Sequence, residues 1–204
     1  RATETGAGPV VATIERGDGD GWTDAAGRAA TLVAWVAVAL LAVALVARWQ
    51  AVDHAPWSNM YEFTVSFAAA ILGFYVIFER AYTAGHAAVR STRSLGAITL
   101  PIVCAMLVVS VAFFPDTVNP LVPALQNTDL LAIHVACMIL AYSALSVSFG
   151  AAVLYIAQGK GDRYPRLPRA RVLDEIAHKS VMVGFPLLAG GIALGAYWAN
   201  SAWG

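Results

Sequence analysis

The stretch of sequence that decides the fold is LLAIHVACMILAYSALSVSFGAAVLYI, residues 130–156. It contains no Asp, Glu, Lys or Arg, and it is longer than the roughly 20 residues that a helix needs to cross a bilayer. His134 lies one turn inside this run. Because an ionisable side chain in such a segment is costly, its position predicts a functional site. A ligand bound in the first turn would lie near the membrane surface, not at mid-depth.

The composition extends this interpretation to the whole chain. Hydrophobic residues make up 59% of it and charged residues only 13%, whereas soluble domains carry about 25% charged residues. We therefore expect an integral membrane protein with the lipid bilayer as its surroundings and no nucleic-acid partner. Since an open sheet would leave backbone groups unpaired in lipid, the expected class is all-α, a polytopic bundle of five transmembrane helices. The predicted spans are Ala29–Ala47, Met60–Phe78, Leu95–Phe114, Leu130–Ile156 and Val181–Trp198.

The segments outside the spans suggest how the chain is organised. Residues 1–28 are rich in Gly and Asp and are predicted to be a disordered tail, which leaves 29–204 as the transmembrane domain. Arg171–Ser180 is predicted to be a short interfacial helix before the fifth span. The chain begins with Arg and stops directly after an aromatic cluster, so we expect it to be a piece of a longer protein.

Basic residues predict the orientation. Lys and Arg are concentrated in the segments 79–94 and 158–180, whereas 50–59, 115–129 and 199–204 contain none. Because cytoplasmic loops carry the excess of Lys and Arg, the N-terminus is predicted to be cytoplasmic and the C-terminal end to be outside. His54, His134 and the final Trp cluster then share the outer side.

Two interpretations of His134 remain open from its position, a hydrogen-bonded core histidine and a ligand. Tyr197, Trp198 and Trp203 follow on the same predicted side, with three rings in seven residues. Such rings form either an ordinary aromatic belt or a flat stacking platform for a planar ligand. An imidazole beside such a platform suits haem iron.

The start of the second span contains further candidates. Glu62 either caps its own helix or, together with Asn59, hydrogen-bonds groups of the outer loops around the site. His54, in the preceding loop, is a loop-capping residue or a ligand. The Gly191-x-x-x-Gly195 pattern predicts close helix packing, within the chain rather than between two copies.

Several stretches together resemble one known family, the haem-handling cytochrome c assembly proteins, most closely the CcsA/ResC type of the system II cytochrome c synthetase. The stretches are HAPWSNMYE (54–62), PLVPALQ (120–126) followed by His134, LDE (173–175), GFPLL (184–188) and GAYWANSAWG (195–204). They cover most of residues 50–204.

The resemblance implies a protein of the plasma membrane that binds haem b as its cargo and presents it to apocytochrome c. His134 matches the first of two outer histidines, and Trp198 and Trp203 match the leading part of the Trp-rich WWD segment. Trp57 and Glu62 are expected to line the same haem site. The Trp-Asp-Pro core and the second outer histidine are expected beyond Gly204.

The resemblance also implies a second membrane subunit and membership of a cytochrome c synthase complex, with no catalytic residue in this chain. The thiolate that forms the thioether bond comes from the substrate. Two other classes stay open, a membrane-bound respiratory subunit that binds haem b and a small-molecule transporter.

Overall fold

The computed structural model describes residues 19–52, 54–84, 92–117, 128–159 and 161–203. Within these ranges the chain forms helices joined by loops and turns, and there is no strand. The helices are α1 (Gly19–Val52), α2 (Met60–Ala84), a short 3-10 helix (Thr92–Leu95), α3 (Gly96–Phe113), α4 (Thr128–Gln158) and α5 (Ala170–Trp203).

Five segments of these helices are long and apolar enough to cross a membrane, by length and composition. They are Ala25–Val52, Met60–Tyr82, Thr92–Phe113, Asp129–Gln158 and Ala170–Ser201. The prediction of an all-α bundle with five spans is therefore confirmed. Large apolar side chains such as Leu40, Val111 and Ile156 are exposed on the bundle surface, as expected where lipid replaces water.

The helices pack around α2 and α4. α2 contacts α1, α3 and α4, and α4 forms the most extensive interface of the bundle with α5. The buried apolar cluster includes Val76 of α2, Leu154 of α4, and Leu173 and Ile176 of α5. This cluster extends from the middle of the bundle toward the end where α2 and α4 finish and α3 and α5 begin.

Two predicted boundaries differ from the structure. The predicted interfacial helix Arg171–Ser180 is the continuous first part of α5, because Leu173 and Ile176 are fully buried against the bundle and do not face a membrane surface. Residues 1–18 of the predicted tail lie outside the described residues. Residues 19–28 form the first turns of α1, where Gly27 packs against the side chain of Arg93.

The end of α4 is set by local geometry. Gly159 adopts a positive φ of 64°, and its amide donates to the carbonyl of Tyr155. A left-handed residue after the last turn is the usual way a helix stops, and glycine takes this conformation without steric cost. Gln158 is fully buried there and hydrogen-bonds the carbonyls of Tyr164 and Pro168, so it holds the following loop against the bundle.

Candidate functional site

His134 lies in the second turn of α4 and is held by α5. Its Nδ1 atom is 2.6 Å from the carbonyl oxygen of Gly191. A carbonyl oxygen can only accept, so Nδ1 carries the proton and donates it. In a neutral imidazole with this tautomer, the lone pair is on Nε2. Both interpretations of His134 remain compatible with this contact, because the hydrogen bond occupies one ring nitrogen and leaves the other free.

Glycines of α5 allow this contact. A Cβ atom added to Gly195 would lie 2.6 Å from Cε1 and 2.8 Å from Nδ1 of the His134 ring. A Cβ added to Gly191 would lie 2.7 Å from the sulfur of Met138, and one added to Gly184 would lie 3.1 Å from the carbonyl of Ala141. Small residues let two helix backbones approach closely. The prediction that the GxxxG pattern packs within the chain is confirmed.

Trp198 follows Gly195 by three positions, so both lie on the same face of α5. Trp198 is half-buried, and its indole N–H is buried without an acceptor among the described residues. Tyr197 is 67% exposed. Because α5 continues to Trp203, neighbouring residues point about 100° apart, so Tyr197 and Trp198 lie on different sides of α5. The side chain of Trp203 lies outside the described residues.

Glu62 is the centre of a second group of contacts. It is only 1% exposed, and its carboxylate accepts hydrogen bonds from Nε of Arg48 at 2.9 Å and from the amide of Ser58 at 3.1 Å. The amide of Glu62 donates to the side-chain oxygen of Asn59, which caps the start of α2. Arg48 also donates to the carbonyl of Asp116. We call Arg48, Glu62 and Asp116 the clasp.

The loop before α2 packs beside the clasp. Trp57 meets Trp49 of α1 edge to face, with 6.4 Å between the ring centroids. Its indole N–H is also buried without an acceptor in the described part of the chain. Nδ1 of His54 lies 3.0 Å from the hydroxyl of Ser58. His54 therefore contacts its own loop, as a capping histidine would.

Residues 57–204 match the family described as Cytochrome C assembly protein. This chain belongs to the cytochrome c assembly protein family.

Several relatives of this family member carry the description cytochrome c biogenesis protein CcsA. The one from Chlamydomonas reinhardtii is 31% identical over 175 residues, which cover 81% of this chain and 47% of the relative. Those from Guillardia theta and Prochlorococcus marinus (strain MIT 9215) are 29% and 30% identical and are covered over 64% and 60% of their length. The chain thus spans about half to two thirds of these relatives. No solved structure matches it.

The described contacts divide the predicted site residues of this cytochrome c assembly protein into two groups. His134 and Trp198 belong to the interface of α4 with α5, whereas Trp57 lies in the loop before α2 and Glu62 in the first turn of α2. Both groups lie at the same end of the bundle, where α1, α3 and α5 finish. Within the described residues, no hydrogen bond or ring contact joins them. Nor do three or more His, Cys, Asp or Glu side chains gather there as a metal site.

Arg48 is the residue of this site that the sequence analysis missed. It stands just beyond the predicted first span, outside the loops whose charges were considered. A signal was present, because a carboxylate such as Glu62 at a membrane boundary needs a partner when it is buried. Arg48 is the only Lys or Arg between Arg28 and Arg80.

A further polar cluster lies at the opposite end of the bundle. Glu79 is 2% exposed and accepts a hydrogen bond from the hydroxyl of Thr31 in α1. Nε of Arg93 lies 3.7 Å from the Glu79 carboxylate and donates to the Thr31 hydroxyl at 3.2 Å. We call Thr31, Glu79 and Arg93 the basic-end cluster. Glu79 and Arg93 were predicted to lie in a loop, whereas the structure places their contacts between α1, α2 and the 3-10 helix.

Proposed function

We propose that this chain is the haem-binding membrane component of cytochrome c biogenesis and that it presents haem b to apocytochrome c for thioether attachment. Membership of the family and the descriptions of the relatives support this function over a respiratory subunit or a transporter. The observation that carries the site assignment is the contact of His134 with Gly191, because it leaves Nε2 free as a donor to iron.

The environment of His134 suits haem as a cargo. Histidine bound to a metal usually donates its second ring N–H to a carbonyl or carboxylate, which is the arrangement of His134 with Gly191. We assign His134 as an axial ligand of the haem iron and Trp198 and Trp203 as residues that stack on the porphyrin. Trp57 would contact the haem from the loop before α2. Glu62 would hold that loop in place through the clasp.

Formation of the thioether bond would require this chain to position the reactants, and not to supply a reactive group of its own. A thiolate of apocytochrome c attacks a haem vinyl group, so that a carbon–sulfur bond forms and the other vinyl carbon takes up a proton. This addition needs no oxidant. The role of this chain would be to hold the vinyl groups beside the thiols, as one subunit of a cytochrome c synthase of the system II type with a second membrane subunit.

The proposed orientation follows from the distribution of charge. The basic loops would face the cytoplasm of a plasma-membrane protein, and His134 and the clasp would face outward. Arg48 is an exception to this distribution. Its charge is paired with Glu62, and pairing of this kind accommodates a basic residue on the outer side.

The test is His134→Ala in the full-length protein, with His178→Ala as the matched control because His178 is exposed near the other end of α5. We expect His134→Ala to lose the co-purified haem absorbance and cytochrome c maturation, and the control to keep both. Unchanged haem and maturation in His134→Ala would refute the assignment. Two low-spin haems at mid-membrane would indicate a respiratory subunit, and no haem in the unmutated protein would indicate a transporter.

A further inference from the structure

The imidazole of His134 occupies the space beside Gly195 that a side chain at this position would need. An added Cβ would come within 3.2 Å of three ring atoms, Cε1, Nδ1 and Nε2. Contacts below 3.0 Å require the ring or the helix to shift, so only glycine allows the observed position. The absence of a side chain at Gly195 thus decides where the imidazole can lie.

The carbonyl of Gly191 decides which ring nitrogen is free. It lies one turn before Gly195 on the same face of α5 and accepts the Nδ1 proton at 2.6 Å. A histidine that loses this acceptor can exchange its two neutral tautomers, and then Nε2 is protonated in part of the population. Ring position and tautomer are therefore both set by α5, although the ring itself belongs to α4.

We propose that Gly195 and the Gly191 carbonyl are positioning groups for the haem site, which hold the His134 imidazole so that Nε2 is the iron-binding atom. The part of this inference that concerns haem binding rests on the proposed function. The part that concerns the His134 tautomer is independent of haem, because the contacts are present in the protein alone.

Neighbouring glycines provide the controls. Gly190 has nothing within 4 Å of an added Cβ, so Gly190→Ala introduces the same methyl group into the same helix without a contact. Gly191→Ala would press on the flexible sulfur end of Met138 and keep its own backbone carbonyl. Gly195→Ala alone would displace the His134 ring. The three variants therefore separate effects on helix packing from effects on the imidazole.

The experiment uses the full-length protein reconstituted in lipid. Haem-free protein with ¹⁵N-labelled histidine is examined by NMR, and His134→Ala identifies the His134 signals. Ferric haem b is then titrated into each variant and followed by its Soret band. We expect the Nδ1–H tautomer in the unmutated protein and in Gly190→Ala. In Gly195→Ala we expect mixed tautomers and haem binding weakened by about 10-fold or more, as is typical when an outer-shell partner of a metal ligand is lost.

The outcomes distinguish the two proposals. If His134→Ala loses haem but Gly195→Ala binds as tightly as Gly190→Ala, the positioning role is refuted and the haem ligand stands. If His134→Ala keeps haem, the proposed ligand fails, whatever the tautomer. If Gly195→Ala does not fold, the NMR spectrum of the unmutated protein still tests the inference. A His134 imidazole protonated on Nε2 and not on Nδ1 would contradict it.

Discussion

Removing Arg48 should destabilise the protein mainly through the charge that it leaves behind. The Glu62 carboxylate is 1% exposed in the unmutated protein, and in Arg48→Ala it keeps only the Ser58 amide as a donor. Breaking a buried ion pair costs about 3–5 kcal/mol. Because Arg48 is 24% exposed, water can enter when its side chain is removed, so we expect the low end, about 3 kcal/mol.

Glu62→Gln removes the opposite charge and should cost less. Arg48 is partly exposed and still donates to the carbonyl of Asp116, so about 1 kcal/mol is expected for the lost charge-assisted hydrogen bond. The double variant contains no unpaired buried charge and should cost about 2 kcal/mol. The single costs sum to about 4 kcal/mol, so the cycle predicts a coupling energy of about 2 kcal/mol.

The assay is reversible unfolding of the purified full-length protein in mixed micelles, followed by far-ultraviolet circular dichroism. The control is the ion pair of Lys179 and Glu175 on the exposed surface of α5, in which Nζ lies 2.7 Å from Oε1. This pair should show almost no coupling energy. If the losses in unfolding free energy for Arg48→Ala and Glu62→Gln were additive in the double variant, the reasoning would be refuted. Additivity would mean that the two charges do not stabilise each other.

Three further predictions concern packing and buried polar groups. Gln158→Ala should cost about 2–3 kcal/mol through loss of its hydrogen bonds to the loop that follows α4, and trypsin should cleave that loop faster. Gly96→Ala should cost about 1–3 kcal/mol in an unfolding titration, because its Cβ would lie 2.5 Å from the hydroxyl of Tyr75. Gly73→Ala, with open space around it, should instead be neutral or stabilising. Thr31→Val should lower the melting temperature, because the buried Glu79 carboxylate loses the hydroxyl of Thr31 as a donor. An unchanged melting temperature would argue against this hydrogen bond.

The helical spans were predictable because lipid imposes a simple rule on the chain. Every backbone group in the bilayer must be paired within its own helix, so an apolar run such as 130–156 has one possible structure. The predicted starts of the second, third and fourth spans lie within two residues of the observed helices. The fifth differed more, because the burial of Leu173 and Ile176 depends on contacts with other helices, which hydropathy along one segment does not express.

The site was predictable in its residues but not in its contacts. His134 stood out because an imidazole in an apolar run is costly, and the GxxxG pattern indicated a close helix contact. That these two features meet is a property of the register between α4 and α5. Arg48 and Glu62 lie 14 positions apart on different helices, and nothing local to either residue pairs them.

The sequence by itself determined the class of fold, the membrane-length spans and the unequal distribution of charge between the two ends, because these depend on composition and periodicity along single segments. Tertiary structure alone decided which nitrogen of His134 is free, which glycine makes room for its ring, and which cation neutralises Glu62. Each of these depends on the distance between atoms of different helices, and such distances exist only after the helices have packed.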